Sequence, residues 1–210
     1  MYLHDCTGAE CPYCSPFGIA TPQPDITITY SPHTLLTAQD ARLRTFRDST
    51  GKAVRQWPKR VAIGTALIIP YGAHFREGGP WQIVIHQRTD NQRWGLPGGA
   101  MEIGESIGKC AIRECYEETG LTIHLIGVSS IDSDPETNSI CQYPDGNVIQ
   151  YCNVTFIGSI ISGTLRKSEE SIHLKWCSTN NLPDGFLPLH KWRIEKAIEN
   201  IKDIKYNIAF

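Results

Sequence analysis

The most constraining stretch of the chain opens with Gly98-Gly99 and closes with Arg113-Glu114-Cys115-Tyr116-Glu117-Glu118-Thr119-Gly120-Leu121. Glu114, Glu117 and Glu118 stand at i, i+3 and i+4. On a helix, predicted over Ile107–Thr119, each residue advances by about 100°, so that spacing puts three carboxylates on one face. Like charges this close repel, and a helix gains nothing from them alone. A hard divalent cation such as Mg²⁺ takes oxygen ligands from one or two protein carboxylates plus the phosphate oxygens of a substrate. Such a cation would relieve the repulsion and bring a phosphate with it. Ile112, Cys115 and Thr119, with Ala111 beside them, form a neighbouring face suited to packing on a sheet while the acidic face looks out. Arg113 precedes Glu117 by four residues and is placed to pair with it. Gly120 suits a left-handed cap, and Gly98-Gly99 after Pro97 permits close backbone approach in the loop that feeds the helix.

The 210 residues suit one domain of ordinary size plus an appendage. Three parts are expected: a Cys- and Pro-rich extension over 1–36, a helix and basic linker over 37–59, and a main domain over 60–205. Asp25–Tyr30 alternates Ile and Thr and predicts a strand; Thr37–Arg47 predicts a helix ended by Asp48-Ser49-Thr50-Gly51. Val61–Ile69 is β-branched and apolar and predicts a strand, paired as a hairpin with Trp81–Gln87 across the Gly-rich loop Tyr71–Pro80. Arg93–Gly99 reads as a loop. Further strands are expected at Leu121–Ile131, at Asn147–Ile161 after an Asp145-Gly146 turn, and at Ser171–Trp176. Ile194, Ala197, Ile198 and Ile201 at helical spacing predict a closing helix over Lys191–Ile204. The fold class is α/β, in the α+β sense of mixed strands and helices.

Taken whole, the acidic stretch reads Gly99, five residues, Glu105, seven residues, Arg113-Glu114, Cys115, Tyr116, Glu117-Glu118, Thr119, Gly120, Leu121. This resembles the Nudix box, and the lead-in Trp94-Gly95-Leu96-Pro97-Gly98 and the stretch Tyr143–Tyr151 are similar to their counterparts in that superfamily. Cys115 stands where the family carries Ile, Leu or Val, and a cysteine behaves as a small hydrophobe. The likeness in layout covers about residues 60–205.

The resemblance implies a Nudix-type mixed-sheet α/β/α sandwich behind an N-terminal extension. It implies Mg²⁺- (or Mn²⁺-)dependent hydrolysis of a phosphoanhydride in a nucleoside diphosphate linked to another moiety: a nucleotide sugar, an ADP-ribose-like compound or a nucleoside triphosphate. Glu114, Glu117 and Glu118, with Gly99, would hold the metal, which positions a water for in-line attack on phosphorus. Arg113 would align the acids, and Glu105 would support the loop or join the metal shell. The general base lies either on the helix or in a later loop, where Glu169-Glu170 precede the last strand and Glu170 is the catalytic candidate. Arg60, Gly98 and Gly99 are the substrate-binding candidates. A non-catalytic, nucleotide-binding regulatory Nudix domain is the alternative; such domains usually lose acids of the box, all of which are kept here. An isomerase of prenyl diphosphates is a third use of a related fold, with no independent support in the sequence.

Composition excludes several classes. Hydrophobic residues at 40% with charged residues at 20% rule out a disordered chain, and a net charge of −2 gives no reason to expect nucleic-acid binding. The apolar runs are strand-sized, and no basic segment followed by an apolar one opens the chain, so a cytoplasmic protein without a membrane partner is expected. Cys110, Cys115, Cys141, Cys152 and Cys177 sit singly, which suits free thiols in a reducing compartment. His4, Cys6, Cys11 and Cys14 offer a Zn²⁺ ligand set, although the second Cys-x2-Cys pair of a full knuckle is missing; a strap-like segment or a disulfide are the other readings. The basic run Arg42, Arg44, Arg47, Lys52, Arg55, Lys59 and Arg60 would attract an anion or serve as a solvated face. Trp57, Trp81, Trp94 and Tyr151 would stack on a base or line the core. An extension with one strand would suit a homodimer.

Overall fold

The computed structural model describes residues 46–54, 56–72, 80–135, 139–143 and 145–201. They belong to the unit Ala38–Phe210; the other compact unit, Met1–Thr37, lies outside the described residues. So do the expected strand Asp25–Tyr30, residues 37–45 of the expected helix, and His4, Cys6, Cys11 and Cys14.

A long strand organises the domain. β6 (Val148–Gly163) takes β1 (Arg60–Ile68) along one edge in parallel, from Arg60↔Ile149 to Ile68↔Ile157. Along the other edge it takes β4 (Leu121–Asp132) antiparallel, then β5 (Ile140–Gln142), with Asp132↔Asn153 and Ile140↔Gln150. A second, antiparallel sheet runs β3–β2–β7, from β3 (Trp94–Gly95) through β2 (Gln82–Arg88) to β7 (Ser171–Ser178). The first sheet is mixed, as expected.

Among the described residues the expected β1–β2 hairpin forms only next to its connecting loop, where Pro70 bridges Ile83 and the Val84 amide donates to the Ile69 carbonyl at 3.1 Å. The free edge of β1 is already taken. Leu67 N–H donates to Pro97 O at 2.8 Å, Thr65 N–H to Gly99 O at 2.8 Å, and Met101 N–H to Ile63 O at 2.9 Å. The glycine loop is thus bound to the central sheet as an edge segment, and β2 turns into a sheet of its own.

Period-two alternation assigns the faces. Leu67 and Ile69 point to one side, with Val84, Leu125 and Phe156, and meet Ala111 and Cys115 of helix α1 (Ile107–Thr119). Ala66 and Ile68 point to the other, with Ile83, Ile85 and Ile157, and meet Ile194 and Ala197 of helix α2 (Pro188–Asn200). The result is the α/β/α sandwich. α2 starts three residues before the sequence reading placed it, because Pro188 opens it, and a proline loses nothing at a position whose N–H has no helical partner. A third cluster joins Phe46, Val54, Ile140 and Val148, with Trp57 edge-on to Phe46 at 5.7 Å between centroids. Phe46 and Arg47 are not helical: Arg47 bridges Ala53 across a turn whose Asp48 carboxylate accepts from the Thr50 and Lys52 amides, both at 2.9 Å.

One ion pair ties the layers together. Arg193 of α2 forks onto Asp132 at the end of β4, Nε to Oδ1 and Nη2 to Oδ2, both at 2.8 Å, and both residues are buried. Cys110, Cys115, Cys141, Cys152 and Cys177 are all free thiols. Among the described residues no helix is long and apolar enough to cross a membrane.

Candidate active site

α1 is built as its sequence suggests. Ser106 caps it, its Oγ accepting from Lys109 N–H at 3.3 Å, and Gly120 ends it at φ +74° with its N–H on Tyr116 O at 2.9 Å. The acidic residues fan from solvent into the core. Glu117 is exposed, Glu114 is half-buried, and Glu118 is buried at 3% exposure. The expectation that all three look outward is corrected for Glu118, whose carboxylate turns inward onto the Gly98 amide.

The glycine loop receives that carboxylate. Gly98 N–H donates to Glu118 Oε2 at 2.8 Å. Gly98 holds φ +142°, and a Cβ there would overlap the Thr65 carbonyl oxygen. Only glycine meets both demands. At Gly99 a Cβ would overlap the Glu114 carboxylate, so the bare backbone is what lets Glu114 lie against the loop. Gly98→Ala is therefore expected to lose roughly 3 kcal/mol of stability from strain and to displace the loop; a thermal melt beside an activity assay checks both effects.

Arg113 is the hub. It donates to Glu105 from Nη2 at 2.7 Å and Nε at 3.2 Å, and to the Ala100 carbonyl at 3.2 Å. Its Nη1 lies between Glu114 Oε1 at 2.9 Å and Glu117 Oε2 at 3.0 Å. The pairing anticipated with Glu117 is present, and Glu105 is joined to the same guanidinium. Arg113 holds the Glu105 carboxyl down at about 2, helped by the Glu102 amide at 2.8 Å. The guanidinium stands between Glu114 and Glu117, and among the described residues no three His, Cys, Asp or Glu side chains converge on one point.

Electrostatics separate the acids. Burial pushes Glu118 up to about 8, against the Gly98 amide and Arg88, with Glu114 and Glu170 pushing the same way as burial. Burial also raises Glu114; Arg113 opposes, while Glu117 and Glu170 add to the rise. Glu170, exposed on the turn before β7, is thus close enough for its charge to be felt at both. That turn is fixed by the Thr89 amide on Glu170 O at 2.9 Å. His86 lies behind Glu118, with Nδ1 at 4.0 Å from Oε1 and 2.9 Å from Ser171 Oγ. Burial, then Arg88, pushes His86 down to about 4, so it is neutral and the approach is not an ion pair.

Arg60 is exposed at the start of β1, four residues ahead of the Gly64 that meets Gly99, and is not gathered with the acids. Trp57 and Trp81 belong to the core clusters; Trp94 is half-buried, stacked on His173 at 6.1 Å with Lys175 Nζ 4.5 Å above it. Sequence reasoning missed Arg88. It ends β2 and is forked onto Asp90 at 3.0 and 2.9 Å; burial opposes its charge, while Asp90 and then Glu118 favour it. The Tyr143 and Tyr151 hydroxyls bond to each other at 2.8 Å. The only local signal for Arg88 was the Asp90 two residues on.

Residues 67–200 match the family model described as NUDIX domain. An ADP-ribose pyrophosphatase of Methanocaldococcus jannaschii is 31% identical over 105 residues, which span 49% of this chain and 57% of that one. Among solved structures, an ADP-ribose pyrophosphatase of Streptococcus suis aligns with TM-score 0.51 at 18% identity, over 70% of this chain and 96% of that one. A UDP-X diphosphatase aligns with TM-score 0.53 at 16% identity, over 83% of this chain and 72% of that one. At these identities the two structures speak for the fold.

Proposed function

The chain belongs to the NUDIX domain family, and from that premise we propose that this pyrophosphohydrolase is Mg²⁺-dependent and cleaves a phosphoanhydride in a small-molecule nucleotide. The observation that carries the reading is the pair of carboxyl groups gathered on the glycine loop: Glu118, buried on the Gly98 amide at 2.8 Å, and Glu114, lying against Gly99. Burial raises both, with the charge of Glu170 adding to the rise, and hard oxygen donors in that state fit a hard divalent cation. Glu114, Glu117 and Glu118, with the Gly99 carbonyl, are the residues that would hold Mg²⁺ or Mn²⁺. The bound cation would neutralise the diphosphate and lower the pKa of a water.

The chain's own residues do the rest. Gly98 N–H fixes the orientation of Glu118. Arg113 gathers Glu105, Glu114 and Glu117 and pins the loop through Ala100. Arg88, held by Asp90, keeps a guanidinium beside the site and suits a phosphate oxygen. From outside the helix, Glu170 is the carboxylate we assign to take the proton of the attacking water, and its influence on both Glu114 and Glu118 supports it over Glu169.

The leaving group is set by loops outside the box, and relatives of similar layout carry names with different substrates. A panel of nucleotide sugars, dinucleotides and nucleoside triphosphates with Mg²⁺ tests the reading. Hydrolysis of at least one phosphoanhydride is expected. Saturable nucleotide binding with no turnover across the panel would favour the regulatory alternative.

A further inference from the structure

We propose that His190 is a positioning residue for the reaction: from α2 it holds the segment that aims the Gly98 amide at Glu118. The proposal rests on the hydrolase reading above. Leu96 is buried at 1% exposure, so its backbone N–H needs a partner inside the protein. β3 ends one residue earlier and no strand supplies that partner. Instead Leu96 N–H donates to His190 Nδ1 at 2.8 Å. Accepting there places the ring proton on Nε2. Burial, then the charges of Arg193 and Arg88, keep the imidazole well below the ordinary histidine value, so the acceptor is present at neutral pH.

Gly95 makes the contact possible. It does not adopt a positive φ, so its conformation does not demand glycine. A Cβ there would come within 2.8 Å of His190 Nδ1 and 3.2 Å of Leu187 Cδ1. The missing side chain is the space through which the imidazole reaches Leu96. The same segment is tied to the approach of α2 by Leu187 N–H on Trp94 O at 2.8 Å. On its far side Pro97 and Gly99 are bonded to β1. Gly98 sits between these two sets of restraints with its N–H on Glu118. α2 is itself anchored to the central sheet one turn later, through Arg193 and Asp132. Without the imidazole acceptor, a buried N–H two residues before Gly98 has no partner, and the segment must move to hydrate it.

The test uses the full chain with His190→Leu, His190→Asn and Gly95→Ala. Asparagine puts an acceptor oxygen near the place of Nδ1. kcat and KM are measured on a substrate found by the panel, and hydrogen exchange of the Leu96 and Gly98 amides is followed by NMR, which needs no turnover. His190→Leu is expected to lower kcat roughly ten- to a hundredfold, as a displaced catalytic group does, with KM within about threefold. Both amides should exchange faster. His190→Asn should recover most of the kcat and the slow exchange. Gly95→Ala should reproduce the leucine defect, and the double variant should be no worse than either single one. Wild-type kcat and slow exchange in His190→Leu would overturn the proposal, as would an asparagine variant as impaired as leucine. If the wild type turns over nothing, the hydrolase reading fails, while Leu96 exchange in His190→Leu still decides the positioning role: faster exchange supports it, unchanged exchange overturns it.

Discussion

Glu118→Gln is expected to lower the rate of phosphoanhydride hydrolysis by roughly two to four orders of magnitude, the range for loss of an essential acid–base or charged group. The substitution keeps shape and keeps an oxygen for the Gly98 amide, which donates to Oε2 at 2.8 Å in the native protein. What it removes is the ability to become an anion, as a bound cation would require. In the native protein that carboxyl is buried at 3% exposure and pushed up to about 8, so without a cation it is mostly protonated at neutral pH and costly to ionise. Glutamine is as neutral as the protonated carboxyl but needs no proton to stay so. Relative to native, stability should therefore hold at acid pH and rise from the ordinary carboxylate range up to about pH 8, while activity falls. That opposition separates a functional carboxylate from a structural one. Rates across the substrate panel together with a thermal melt check it; a stable variant with near-native rate would place the chemistry elsewhere.

Asp132→Ala is expected to lose about 3–5 kcal/mol of stability, the range for leaving a buried charge without its partner. Arg193 is 3% exposed and both ends of its fork go to Asp132 at 2.8 Å. With the carboxylate gone, a guanidinium remains in the core between α2 and β4. For a domain of this size that corresponds to a fall in melting temperature of roughly 10 °C. Replacing Arg193 and Asp132 together by leucines should recover much of the loss, because the cost lies in the orphaned charge. Urea unfolding of the single and double variants reads both effects. A single variant within about 1 kcal/mol of native would mean that Arg193 reaches water or another anion.

Local chemistry made α1 legible. The acidic repeat, the glycine after Thr119 and the apolar positions all lie within one helix, and the structure places it over the expected Ile107–Thr119. Most strands were legible for the same reason, from β-branched runs bounded by turn residues. What escaped depends on pairing between distant segments. The β1–β2 hairpin was a sound local inference, but β1 spends its edge on the Pro97–Met101 loop, a competition that no window of sequence displays. The helical period put Glu118 on the acidic face, yet its burial is set by the sheet beneath it and by the loop amide that meets it. His190 and Arg193 look like ordinary polar positions of an amphipathic helix. Their partners, Leu96 and Asp132, are far away in sequence. The acidic box therefore announced the chemistry, while the groups that hold it in place became visible only in three dimensions.

The most direct measurement is hydrolysis in ¹⁸O-enriched water with Mg²⁺, using a substrate from the panel and comparing the native chain with Glu118→Gln. The account predicts that the native protein places one solvent oxygen on a phosphoryl product, that chelation of the metal abolishes this, and that the glutamine variant binds the nucleotide but barely turns it over. Turnover unchanged by chelation or by Glu118→Gln, or label recovered on the sugar rather than on phosphorus, would contradict it.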